Sequence, residues 1–195
     1  SPTCTMQFGD AGGAVGELVG AENDGLKYMF TMMNNARLSV GLQGVAIAER
    51  ATAAAIEYAR GRVQGRDART GADNTPIIAH ADVRRMILTM RAYTLAARAI
   101  TYEAAVNLDR AAAGDSAAQD RVEFLTPIVK SFGTDVACSV SSLGVQVHGG
   151  MGFIEETGAA QFYRDARILP IYEGTDGIQA NALVFREVLR DGGTA

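Results

Sequence analysis

Several residue types are scarce in this sequence, and each scarcity excludes something. There are two cysteines, Cys4 and Cys138, without the paired spacing of a zinc or iron–sulfur site. They read as two buried reduced thiols, a single disulfide being the other reading. There are two histidines, His80 and His148, and the residues three places before them are Ile77 and Val145. The Glu-x-x-His pair of a di-iron carboxylate bundle is therefore missing, and His148 has no second ligand near it in sequence. No apolar run reaches the ~18 residues needed to span a bilayer, and no charged-then-apolar segment opens the chain. Basic residues are scattered among acids and the net charge is -4, which gives no footprint for nucleic acid or an anionic membrane surface. A cytoplasmic (bacterial-type) or matrix-like compartment is the expectation. What remains, 48% apolar and 21% charged residues over 195 positions, is the composition of a folded domain with a substantial core.

Prolines are also few, four in all, and the helices are long in consequence. After Asn23-Asp24, which offers a cap, the chain runs from Leu26 to about Val63 without a proline, and the small residues Gly41 and Gly44 suggest a bend there. A polar loop, Gly65 to Asn74, follows, and Thr75-Pro76 is read as opening a second helix that ends near Ala113. Its stripe is Val83, Met86, Ile87, Met90, Tyr93, Ala97 and Ile100. A third helix is predicted from about Ala117 to Val145, with Pro127 as a kink, then short ones at Ala159 to Arg167 and Thr175 to Leu189. The fold class is all-α, an up-and-down four-helix bundle. The first 22 residues differ. Thr3 to Phe8 alternates as a strand, Gly9 to Gly13 reads as a turn, and Ala14 to Val19 suggests a second short strand. Two short strands are not stable alone. They are read as the end of a β-domain whose remainder lies upstream of Ser1, packing on the helices being the alternative. The expected division is residues 1–22 and 23–195.

The stretch from Gln146 to Gln179 carries the chemistry. It contains Gln146-x-x-Gly149-Gly150-x-Gly152, then Tyr163-Arg164-Asp165-Ala166-Arg167, then Ile171-Tyr172-Glu173-Gly174-Thr175 with Ile178-Gln179 behind. Taken singly, these have ordinary readings: glycines ending a helix, a solvated Glu near a helix start, and a Thr cap. Together, in this order and spacing, they resemble the acyl-CoA dehydrogenase family, and the resemblance extends upstream to about Gly20. The segments Ser1 to Gly20, Asn34 to Arg50 and Gly144 to Ile168 look most like its longer members, in which a further region follows the bundle.

The resemblance implies a C-terminal four-helix bundle domain, FAD as cofactor, an acyl-CoA substrate and α,β-dehydrogenation to a 2-enoyl-CoA. Glu173 is implied as the base that removes the α-proton, a task that asks for a desolvated carboxylate. The thioester oxygen is implied to lie on the Glu173 N–H and a ribityl hydroxyl of the cofactor. Arg62, Gln146, Gly149 and Gly150 are implied at the FAD adenine and diphosphate of a neighbouring subunit, Thr175 and Gly177 at the flavin side. Asn34, Arg37 and Gly174 fall near the acyl-CoA, and Met29, Met32 and Met33 are read as core or acyl-pocket lining. No residue is assigned to a metal. Electrons are expected to leave to an acceptor such as an electron-transfer flavoprotein, and a homodimer or homotetramer is implied. The sequence departs from the family's pattern at Arg62-Val63-Gln64-Gly65, where members show a Phe before the Gly, and at Ala81, where they carry Gln. Arg60 and Arg66 therefore compete with Arg62. An acyl-CoA oxidase, or an oligomerising helical module without catalysis, are the alternative readings. His148 is expected to pack or to lie at the cofactor's edge, Arg164-Asp165 to be a structural ion pair or capping unit, and this chain alone to bind FAD weakly or not at all.

Overall fold

In the computed structural model, which describes residues 4–189, three long helices carry the architecture: α1 (Gly25–Gly61), α2 (Ala81–Ala112) and α3 (Ser116–His148). Shorter elements follow: α4 (Gly150–Phe153), a 3-10 turn (Glu155–Thr157), α5 (Ala159–Arg167) and α6 (Asp176–Ala182), which continues into a π-helical segment (Leu183–Val188). The chain divides at Met33 into two compact units.

In the first unit, residues 4–24 form no strand. The alternation at Thr3 to Phe8 and Ala14 to Val19 has no sheet edge to join, so the two expected strands are not formed, Thr3 itself lying outside the described residues. A turn closes with Gly13 N–H on Gly9 O (2.9 Å), and Ala21 N–H donates to the Tyr28 hydroxyl (3.1 Å). Cys4 is exposed, not buried as expected.

The second unit is a bundle built on small residues. The inner face of α1 is Val40, Gly41, Gly44, Val45, Ala48, Ala51, Thr52, Ala55 and Ala59, which repeats every three or four positions. It packs with Met86, Ile87, Met90 and Ala97 of α2 and Val136, Val140 and Val147 of α3. Gly41 abuts Val129 and Gly44 abuts Gly133, while Gly144 faces Ala51, so α1 and α3 run in the same direction. α2 runs the opposite way to α3: Glu103 meets Arg121 (2.5 Å) while Met90 meets Gly144, and Arg98 of α2 pairs with Glu49 of α1 (2.8 Å). This is the up-down-up arrangement expected of a bundle. Buried hydroxyls in this core satisfy themselves on the carbonyl one turn back: Thr52 on Ala48 O (2.7 Å), Thr94 on Met90 O (2.8 Å), Thr101 on Ala97 O (2.7 Å) and Ser141 on Ala137 O (2.6 Å).

Two boundaries differ from expectation. Pro76 does not open α2. Its backbone is extended (ψ 134°) because it bridges Val63 across the loop, and a 3-10 turn (Ile77–Ala79) intervenes before Ala81. That loop is ordered by an Arg66–Asp73 bridge, by Arg66 donating to Gly71 O (2.6 Å) and by the His80 ring at Gln64 O (2.7 Å). α3 runs unbroken through Pro127 to His148, and its start is capped by Asp115, which accepts from Ala118 N–H (3.1 Å).

Candidate active site

The segment between α5 and α6 is anchored at one end by Leu169, buried with Val40, Ala137 and Ala166. From there it rises to the surface, where the Tyr172 hydroxyl donates to Gln43 Oε1 (2.5 Å). Burial, followed by the charge of Glu173, pushes the Tyr172 phenol up. Two consecutive residues then adopt left-handed backbone: Glu173 (φ 56°) and Gly174 (φ 89°). For a glutamate this costs about 1 kcal/mol or more and persists only where the surroundings impose it.

The surroundings are identifiable. Gln179, 1% exposed, donates through Nε2 to Glu173 O (3.3 Å) and Gly174 O (3.1 Å). Arg37, 7% exposed, donates through Nε to Glu173 O (3.4 Å) and through Nη1 to Asn34 Oδ1 (3.3 Å). Burial and then the charge of Arg186 lower the Arg37 pKa, Glu173 opposing them, yet a guanidinium stays protonated in any case. A Cβ on Gly174 would lie 2.7 Å from Gln179 Nε2, so only glycine fits both the conformation and the clamp. With both carbonyls turned inward, the Glu173 side chain is half-buried, and its N–H has no partner among the described residues. A carboxylate and an open N–H on one residue is an arrangement that can take a proton and hold an oxygen at the same place.

Thr175 holds the N-cap position of α6 in extended conformation, but its hydroxyl makes no cap bond and is exposed, as is Gly177. The remaining predicted residues lie elsewhere. Tyr58 stacks on His148 with ring centroids 4.4 Å apart, which brings the last turn of α1, leading to Arg62, beside the end of α3. Arg62, Gln146, Gly149 and Gly150 are all exposed there. Gly149 (φ 61°, ψ −139°) and Gly150 have open space where a Cβ would be, whereas Gly152 is packed on Val145 and His148. Along α1 the span from Arg37 to Tyr58 is roughly 30 Å at about 1.5 Å per residue. The predicted residues thus form two groups at opposite ends of the bundle.

Residues 23–187 match the family described as acyl-CoA dehydrogenase, C-terminal domain. The chain belongs to the acyl-CoA dehydrogenase family. It is 59% identical over 198 residues to the 3-methylmercaptopropionyl-CoA dehydrogenase of Ruegeria pomeroyi, covering 99% of this chain and 33% of that protein. It is 36% identical over 206 residues to the broad-specificity linear acyl-CoA dehydrogenase FadE5 of Mycobacterium tuberculosis, covering 100% of this chain and 34% of that protein. The structure superposes on butyryl-CoA dehydrogenase from Megasphaera elsdenii with a TM-score of 0.69 at 30% identity, covering 84% of this chain and 39% of that one. The chain spans about a third of the length of these curated relatives. Among the described residues, no helix is long and apolar enough to cross a membrane.

Within this acyl-CoA dehydrogenase domain, several expectations need correction. Arg164 pairs with Glu155 (2.7 and 2.6 Å) and not with Asp165, because consecutive helical residues point about 100° apart. Asp165 accepts from Gln161 instead (2.7 Å). Met29 and Met32 are exposed, so they are not core of this chain. Arg66 is engaged within its loop. His148 does pack, its Nδ1 at Gly144 O (2.7 Å). Gln43 and Lys130 were not singled out from the sequence, and Gln179, though part of the motif, was given no role there. Lys130 carried a usable signal, since it falls on the buried stripe of α3 with Thr126, Gly133 and Ala137.

Proposed function

We propose that this chain is the C-terminal part of an FAD-dependent acyl-CoA dehydrogenase that converts an acyl-CoA thioester to a 2-enoyl-CoA, with Glu173 as the base. Residues 1–22 belong to the end of the preceding β-domain and 23–195 to the helical domain. The observation that carries the reading is the clamped left-handed Glu173, whose carbonyl is held by Arg37 and Gln179 while its carboxylate and N–H have no hydrogen-bond partner among the described residues. The α-proton passes to a Glu173 carboxylate oxygen. The Glu173 N–H meets the thioester oxygen as charge develops on it. Asn34, Arg37 and Gly174 form the acyl-CoA side, Arg37 by keeping the Glu173 carbonyl out of the site.

The residues present fit FAD. At one end, an exposed guanidinium (Arg62), an exposed amide (Gln146) and the uncovered backbone of Gly149 and Gly150 suit a diphosphate and its adenine. At the other, Thr175 and Gly177 are exposed close to Glu173, and the Thr175 hydroxyl makes no cap bond among the described residues. FAD, when bound, would supply the acceptor for the β-hydride, and an electron-transfer flavoprotein would be the acceptor in turn. The separation of roughly 30 Å between the two groups supports a homodimer or homotetramer in which each cofactor is held by two chains. A cytoplasmic (bacterial-type) or matrix-like location goes with this reading.

The test is Glu173→Gln in the full-length enzyme, assayed on a panel of acyl-CoAs with a dye acceptor. Turnover is expected to fall by at least about 10³-fold with flavin still bound, since the reacting base is lost. Near-wild-type turnover would overturn the assignment.

A further inference from the structure

Lys130 is one of the two lysines in the chain, and its side chain is 0% exposed. It sits in the middle of α3, where the neighbouring stripe positions Thr126, Gly133 and Ala137 are small or apolar and an aliphatic side chain would pack. Its Nζ makes no hydrogen bond among the described residues and lies 3.7 Å from Asp176 Oδ1. Asp176 Oδ1 and Gln179 Oε1 are likewise buried without a bond. The Asp176 side chain is 33% exposed, whereas Lys130 has left water entirely, and an ion pair that desolvates a charge is seldom better for stability than an apolar pair of the same volume. Stability alone is therefore a poor reason for a lysine here, and its location supplies another.

Asp176 is the first residue of α6 and stands three residues after Glu173. Gln179 is one helical turn further on, at the spacing that shares a face with Asp176, and it is the residue that holds the carbonyls of Glu173 and Gly174. A continuous connection thus runs from α3 through Lys130 to Asp176, along α6 to Gln179, and from there to the left-handed Glu173. Arg37 reaches the same carbonyl from α1. The two helices that carry Arg37 and Lys130 touch at Gly41, Gly44 and Gly133, so the spacing of the two attachments is fixed.

We infer that Lys130 is a positioning residue for Glu173: its ion pair with Asp176 fixes the start of α6, and thereby the clamp that aims the carboxylate, without contact with the substrate. This rests on the reading of Glu173 as the base. A misplacement of about 1 Å at a reacting group can lower turnover by about 100-fold, which sets the scale of the effect.

The test uses the full-length flavin-loaded enzyme carrying K130M together with D176N, which removes both members of the pair and leaves Asp135, the other acid facing them on α3, in place. The expected result is a fall in kcat of about 10- to 100-fold, with the KM for acyl-CoA within about twofold and flavin content and Tm near wild type. Wild-type kcat in a folded, flavin-loaded double variant would overturn the inference, and so would a loss of turnover that merely follows loss of flavin. If the double variant does not fold, D176N alone decides, since it keeps the side chain's shape: reduced kcat at unchanged KM supports the role, and wild-type kcat refutes it. E173Q is measured beside them. An active E173Q defeats both readings, whereas an inactive E173Q with an unimpaired K130M/D176N defeats only the positioning role.

Discussion

Gly44 offers a sharp test of how α1 and α3 meet. A methyl group built on it falls inside the contact distance of the Gly133 carbonyl oxygen, 2.7 Å from the Gly133 carbonyl carbon and 3.1 Å from Thr134 N. Ordinary carbon contacts begin at about 3.5 Å, so the two helices must part by up to about 1 Å. The obstacle is main chain inside a helix, and no rotamer change relieves it. Gly41 against Val129 belongs to the same seam, its own Cβ position lying 2.7 Å from Val129 O. Ala at position 44 gains about 1 kcal/mol of helix propensity. Against this stand about 1–3 kcal/mol of overpacking, and the parting of the seam forfeits a quarter to a half of the dispersion well for each atom pair across it. The net expectation is a loss of about 1–2 kcal/mol. Gly61, which has nothing within 4 Å of its Cβ position, is the control, and G61A should gain up to about 1 kcal/mol. Urea unfolding of the 195-residue chain, followed by far-UV circular dichroism, measures both. A G44A midpoint at or above wild type would refute the claim that the two backbones touch. In the full-length enzyme G44A should also lower kcat more than it changes KM, because Arg37 and Lys130 flank the seam.

Two further outcomes follow. Gly174→Ala places a Cβ at φ 89° and 2.7 Å from Gln179 Nε2, so kcat of the full-length enzyme should drop at least about tenfold with little change in Tm; an unchanged kcat would show that the clamp is dispensable. The Asp115 carboxyl is held below the usual carboxylate range by Ala118 N–H and then by Arg110. A depressed carboxylate stabilises the fold above its unfolded pKa and loses that contribution as pH falls through its folded pKa. D115N, which still caps α3, should therefore show a smaller decline in Tm between neutral and acid pH than the wild type, and equal declines would exclude the effect.

The helices were legible because prolines are few and the apolar stripes are regular; α5 occupies Ala159–Arg167, the span expected from its sequence. The start of α2 was not, since a Thr-Pro pair reads equally as a helix opening and as an extended bridge, and only the pairing with Val63 decides. The terminal alternation suggested strands because pattern carries no information on whether a sheet edge is present. At the site, Glu173, Gly174 and Arg37 were found through a motif, but the reason for Gly174 was not, as it depends on a glutamine clamp five residues later. Gln43 meets Tyr172 across 129 positions of sequence, and neither residue betrays the other locally. Lys130 could have been found: a charged residue on a buried stripe needs a partner, and the stripe alone places it inside.

The opposite placement of the two residue groups also has a meaning in genetic terms. In the proposed assembly each cofactor draws its two halves from different chains. A lesion at Glu173 and a lesion at Arg62 then damage different halves. Two such defective chains mixed in one oligomer assemble a site with both halves intact, and the two lesions complement each other.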